Sequence, residues 1–156
     1  GLINECSEAV GDQNIVLSMD VRRVVANSDQ PSGFEIVING GRTPTGLDAL
    51  AWALEGEKRG AGELVVNSID ADGTRDGYDI VLTAMIAEAV RIPVIASGGI
   101  GCMADLLSLR PLEPLGVTGV IVGRALYDGR VDLAEAIAAL GEARLQDVTA
   151  VAADIA

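Results

Sequence analysis

Apolar residues in this chain fall into short continuous runs, separated by helical patterns and by glycine-rich or acidic loops. Leu2 to Val10 predicts a helix with Leu2, Ile3, Cys6, Ala9 and Val10 at helical spacing, ended by Gly11. Ile15 to Asp20 is an apolar run of strand length that finishes in a carboxylate. The polar segment from Ala26 to Pro44 follows, with Phe34 to Ile38 as a small hairpin arm inside it; connections of that length commonly serve as lids or ligand-binding segments. Leu47 to Lys58 predicts a helix and Leu64 to Ile69 a second strand, with Asp70 to Thr74 as its outgoing loop. Ile80 to Arg91 is the next helix, ended before Pro93 because the residue before a proline is pushed out of the helical region. The run Ile92 to Ala96 is the third strand, stopped by Ser97, Gly98 and Gly99, and Met103 to Leu109 reads as the helix after it. Val117 to Val122 is the fourth strand, Gly123 and Arg124 form its exit, and Leu133 to Leu140 is the last full helix.

Continuous aliphatic strands alternating with helices are the pattern of a parallel sheet covered by helices, so the fold class is α/β. Polar and glycine signals gather at the carboxyl ends of the strands, at Asp20, Asp72, Ser97 to Gly99, and Gly123 to Arg124. That one-sided distribution matches the ligand-binding face of a TIM-type (βα)8 barrel, of which residues 1–141 would form a (βα)4 half. Residues 142–156 are expected to be a partly frayed tail. Four parallel strands alone leave two open edges and an apolar face. Closure into an eight-stranded barrel by homodimerisation is therefore expected.

Composition narrows the chemistry. Hydrophobic residues make up 49% of the chain, yet it holds one Trp, one Phe and two Tyr, so the core must be aliphatic. Against 23 acidic residues stand 11 basic ones, and the net charge of −12 disfavours nucleic acid and anionic membranes as partners. No apolar run is long enough to span a bilayer and no signal-like amino terminus is visible; a cytoplasmic protein is expected. Cys6 and Cys102 form no Cys-x-x-Cys pattern and there is no histidine. They read as packing residues, with neither metal nor cofactor expected.

The Ser97-Gly98-Gly99 stretch is the sharpest local signal. Glycines let the backbone approach a ligand closely, and amides at a helix start favour an anion, so a phosphorylated small molecule or inorganic phosphate is the natural guest. The alternative is a tight strand-to-helix turn with no ligand. Asp20 could equally pair with Arg22 or Arg23, and Asp72 could simply shape an Asp-Gly turn.

The stretch Gly60 to Thr74, then Gly77-Tyr78-Asp79 and Ile92 to Gly99, resembles the carboxyl-terminal half of the cyclase subunit of imidazole glycerol phosphate synthase, an enzyme of histidine biosynthesis. Ile15 to Asp20 and Gly41 to Trp52 are similar to the same family. From about Cys102 onward, Asp105 to Leu107, Leu112 to Tyr127 and Gly141 to Val148 look more like the sister isomerase, phosphoribosylformimino aminoimidazole carboxamide ribotide isomerase, so the chain reads as a chimera. The resemblance implies ring closure of a bisphosphorylated substrate with ammonia. Asp20 matches the family's fifth-strand catalytic carboxylate and Asp72 the assisting aspartate of the sixth strand. Asn67 and Ser97 fall at substrate-contacting positions, and Ser97, Gly98, Gly99, Gly123 and Arg124 at the phosphate site, Arg124 through the isomerase-like reading alone. An isomerase reaction, or a phosphate-binding half-barrel without turnover, remains the alternative. Glu63 matches one acidic member of the ring used for ammonia delivery, but its cationic partners have no counterpart here, so a glutaminase partner is not expected.

Overall fold

The computed structural model describes residues 1–74 and 76–141. The expected tail at 142–156 lies outside the described residues. The chain opens with α1 (Leu2–Val10), then runs through β1 (Val16–Arg23), β2 (Phe34–Ile38), β3 (Thr43–Asp48), α2 (Ala49–Lys58) and β4 (Glu63–Ser68). It continues with α3 (Ile80–Ala89), β5 (Val94–Ser97), α4 (Met103–Leu107), β6 (Val117–Val120), α5 (Arg124–Tyr127) and α6 (Leu133–Leu140). The strands form one six-stranded sheet in the order β3-β2-β1-β4-β5-β6. Its β1-β4-β5-β6 portion is parallel, and β2 and β3 are an antiparallel hairpin on the outer side of β1. The α/β class and the four parallel strands agree with the sequence.

Alternation along the strands separates two faces. Met19, Val21, Leu64, Val66, Val94 and Ala96 are buried under the helices, joined there by Leu82, Ile86 and Leu106. The core is aliphatic, and its only ring systems among the buried residues are Phe34 and Tyr78. On the opposite face Val16 and Ser18 are exposed, while Asp20, Glu63, Val65, Asn67, Ile95 and Ser97 are half-buried. This second face carries the chemistry.

Several elements differ from the sequence reading, each for a local reason. The strand expected to end at Asp20 runs on to Arg23 because the hairpin gives its last residues a partner, Asp20 opposite Val37 and Arg22 opposite Glu35. The arm inside the long loop is larger than Phe34 to Ile38, since Thr43–Asp48 pairs with it as β3. Leu47 and Asp48 therefore belong to a strand, and α2 starts at Ala49, where the Asp48 carboxylate accepts from the Ala51 amide at 2.9 Å. Asp79 and Asp132 cap α3 and α6 in the same way, at 3.0 Å and 2.8 Å. The helix expected over Met103 to Leu109 ends at Leu107, and a 3-10 turn over Arg110–Leu115, which contains Pro111 and Pro114, replaces its continuation. Cys102 is exposed at the start of α4 rather than packed in the core, and Cys6 is half-buried.

The hairpin is fastened to β1 by charge. Arg22 donates to the buried Glu35 carboxylate at 2.9 Å, and the Gly46 amide donates to the other Glu35 oxygen at 2.8 Å. The Gly46 bond, with help from Arg22 and against burial, holds the Glu35 carboxyl below its usual value of 4.5. For Asp48, burial raises the pKa, but bonds from Ser32, Ala51 and Leu50 outweigh it and the net shift is downward. Depressed carboxylates contribute stability above their unfolded pKa and lose it as pH falls through the folded value. Thermal melts should thus show the wild type losing stability below about pH 4.5. Glu35→Gln should be less stable at neutral pH by about 1–3 kcal/mol and show a shallower acid slope. An unchanged slope would contradict this account of the hairpin.

Candidate functional site

Register brings the sequence candidates side by side. Asp20 on β1 lies opposite Asn67 on β4, and Asn67 lies opposite Ser97 on β5. These three side chains form a row on the half-buried face at the carboxyl end of the parallel strands. The Asn67 amide donates to the Asp20 carboxylate at 2.9 Å, which fixes one carboxylate oxygen and leaves the side chain facing the open side of the sheet. Neither arginine neighbour takes Asp20. Arg22 pairs with Glu35, and Arg23 with Asp79 at 3.0 Å. The simple ion-pair reading of Asp20 is thereby replaced by a carboxylate held by an amide.

Next to this row, a cleft of about 330 Å³ is lined by Asp72, Gly73, Ser97, Gly98, Gly99, Ile100, Ile121, Gly123 and Arg124. It gathers Asp72, Ser97 and both glycine-containing exits, from strands that are far apart in sequence. Asp20 lines a different cleft, of about 450 Å³, between β1 and the hairpin, together with Thr45, Leu47 and Trp52. Asn67 stands between the two: its amide bonds to Asp20, which lines one cleft, and it pairs in register with Ser97, which lines the other. Asp72 sits in a turn, as the simple reading of an Asp-Gly pair anticipated: its amide bonds to the Ser68 carbonyl at 2.9 Å and Gly73 takes a φ of 76°. That position also places it on the cleft wall.

The glycine loop is built by close approach. Gly98 and Gly99 have φ values of 91° and 96°, in the left-handed region, and a side-chain carbon on Gly99 would collide with the carbonyl oxygen of Gly77. The Gly77 amide donates to the Gly99 carbonyl at 2.9 Å. One expectation changes here. The amides of Gly101 and Cys102, at the start of α4, are occupied by the Asp105 carboxylate at 2.7 Å and 3.0 Å. These two amides precede the first turn of α4 and are already taken; the cleft itself is walled by Ser97 to Ile100, Gly123 and Arg124.

The sequence profile of the histidine biosynthesis protein family matches residues 1–132. The chain belongs to the histidine biosynthesis protein family. Its four successive parallel strands agree with the TIM-barrel architecture of that family. The imidazole glycerol phosphate synthase subunit HisF of Syntrophobacter fumaroxidans is 62% identical over 109 residues, covering 68% of this chain and 42% of that protein. A phosphoribosyl imidazole-4-carboxamide isomerase of Synechococcus sp. (strain CC9605) is 68% identical over 111 residues, 70% of this chain and 44% of its own length. The isomerase of Parasynechococcus marenigrum (strain WH8102) is 49% identical over 151 residues, 95% of this chain and 59% of the relative. The chain thus spans about half the length of the curated relatives it matches, and both enzyme names occur among them.

Sequence reasoning missed Gly73, Ile100 and Ile121 as cleft-lining residues, and it gave no role to Tyr78 or Asp105. Ile121 was hidden inside an apolar strand run whose end the structure moves back to Val120. Among the described residues no group of three or more His, Cys, Asp or Glu side chains could hold a metal ion, and no helix is long and apolar enough to cross a membrane.

The loop geometry makes a direct prediction. Gly99→Ala must move the Gly77 backbone or leave the left-handed region, at a cost of about 1–3 kcal/mol. Its melting temperature should fall by several degrees. A variant that melts like the wild type would contradict this description of the loop.

Proposed function

We propose that this chain is the carboxyl-terminal half of a histidine-biosynthesis barrel, over residues 1–141, and that it acts on a bisphosphorylated aminoimidazole carboxamide ribonucleotide. The observation that carries the reading is the Asp20-Asn67-Ser97 row beside a cleft walled by Ser97 to Ile100 and Gly123 to Arg124. Ring closure requires a proton delivered at one atom and removed at another. Asp20, held by Asn67, is the acid or base; Asp72 assists from the cleft wall; Ser97, Gly98, Gly99, Gly123 and Arg124 hold a phosphate. The first reading is the cyclase step, in which a phosphoribulosyl-formimino aminoimidazole carboxamide ribonucleotide and ammonia give imidazole glycerol phosphate, with aminoimidazole carboxamide ribonucleotide and water released.

An Amadori-type isomerisation of the same pathway is the second reading, and the isomerase relatives favour it as strongly. The two reactions share the carboxylate and the phosphate site, so the same residues serve either. A chain that joins cyclase-like and isomerase-like segments near Gly98 to Gly101 would account for high identity to both.

Closure comes from a second copy. Val16 and Ile121 are 51% and 46% exposed on the face that a full barrel encloses, and β6 is an unpaired edge of the sheet. A two-fold dimer buries both features together, gives each Asp20 a symmetry mate across the barrel and supplies two phosphate sites. A cytoplasmic setting suits this chemistry, and no glutaminase partner is part of the proposal.

Light scattering should give a dimer mass that inorganic phosphate stabilises; a compact monomer with and without phosphate would exclude closure by a second copy. Asp20→Asn should keep the wild-type melting profile and lose about 10²–10⁴-fold of turnover with the cyclase or isomerase substrate. Unchanged turnover in that variant would remove Asp20 from the chemistry, and the absence of turnover in the wild type would leave a phosphate-binding half-barrel without catalysis.

A further inference from the structure

Three consecutive residues in the loop after β4 each reach the exit of a different parallel strand. The Gly77 amide donates to the Gly99 carbonyl in the loop after β5, at 2.9 Å. The Tyr78 hydroxyl donates to the Ile121 carbonyl just past β6, at 3.1 Å. The Asp79 carboxylate accepts from Arg23 at the end of β1, at 3.0 Å and 3.1 Å. Gly77 and Tyr78, adjacent in the chain, thus reach both sides of the cleft: Ile121, bonded to Tyr78, lines it on the β6 side, and Gly99, bonded to Gly77, lines it on the β5 side. Tyr78 is 6% exposed and its ring belongs to the core, so the hydroxyl has little freedom to leave its acceptor.

We propose that Tyr78 is a positioning residue that sets the separation of the two phosphate-holding loops, Ser97 to Ile100 and Gly123 to Arg124, through its bond to the Ile121 carbonyl. The inference rests on the phosphate-site reading given above. It adds a residue that touches no ligand and works through the exit of β6. A further observation agrees with a fixed role. Burial, with a smaller contribution from the Asp105 carboxylate, raises the Tyr78 pKa well above the usual tyrosine range, so the hydroxyl is a protonated donor at neutral pH. Asp105 itself accepts from the Gly101 and Cys102 amides, just before α4. With the hydroxyl removed, the Ile121 carbonyl loses its donor and the Gly123–Arg124 exit is free to drift relative to the glycine loop. Phosphate donors misplaced by part of an ångström lose affinity even though each remains present.

The test compares wild type and Tyr78→Phe for binding of inorganic phosphate by titration calorimetry, with unliganded melting temperature as the control for packing. The expected result is phosphate affinity about tenfold weaker, the effect of one hydrogen bond's worth of positioning, with the unliganded melting temperature changed by a few degrees at most. Equal affinity in the two proteins overturns the inference and leaves the phosphate site standing. A lower melting temperature with unchanged affinity also overturns it, because that is what a purely structural tyrosine would give. If the wild type itself binds no phosphate, the site reading fails and this inference fails with it. Should Tyr78→Phe not fold, 3-fluorotyrosine incorporated into Tyr127→Phe leaves one fluorine-labelled ring, at position 78. A fluorine resonance that moves as phosphate saturates the site supports the coupling, and one that does not move overturns it.

Discussion

The carboxyl ends of four parallel strands must be held in register for any ligand to be shared between them, and here the loop after β4 does the holding. Gly77, Tyr78 and Asp79 bond in turn to the exits of β5, β6 and β1. Beyond the sheet ladder, these cross-links join the glycine loop to Ile121, just ahead of the Gly123–Arg124 exit, and the two share the walls of one cleft. The requirement for glycine at 99 comes from the same contact: the chain passes so close to the Gly77 carbonyl that a side-chain carbon has no room. Asp79 does double service, capping α3 through the Leu82 amide while it pairs with Arg23. Helix start, strand end and loop conformation are therefore fixed by one short segment.

The division of the sheet into two faces explains the rest of the architecture. One face is aliphatic and closed by the helices. The other sets Ser18, Asp20, Glu63, Asn67 and Ser97 among Val16, Val65 and Ile95, half open in a single chain. Polar groups at the carboxyl end of that face fit a ligand site, while aliphatic residues lower on the same strands fit the inside of a barrel. The hairpin covers only the last residues of β1, from Asp20 to Arg23, and leaves its first residues open as an edge.

Much of this was legible from residue pattern, and the exceptions share a cause. Leu2 to Val10 and Leu133 to Leu140 form helices with the expected bounds because their periodicity and terminal glycines are local. The four parallel strands were readable because strand-loop-helix units follow one another, and the family because Gly60 to Thr74, Gly77 to Asp79 and Ile92 to Gly99 resemble its cyclase. Hidden features depended on a partner far along the chain. Thr43–Asp48 contains Pro44 and Gly46, poor strand formers, and becomes a strand because β2 offers it a ladder. Asp20 looked free to pair with Arg22 or Arg23, yet both arginines find other carboxylates once Glu35 and Asp79 are brought to them by the fold. Tyr78 carried no local signal for its role, since its acceptor is a backbone carbonyl 43 residues away.

The most direct test of the central claim is a map of where inorganic phosphate acts on the amide resonances of the nitrogen-15-labelled chain. The account predicts saturable shifts concentrated at Gly98, Gly99, Gly123 and Arg124, with smaller ones at Gly77 and Tyr78. Shifts confined to surfaces away from the strand exits, such as α1 or α6, or no saturable shift at all, would contradict it.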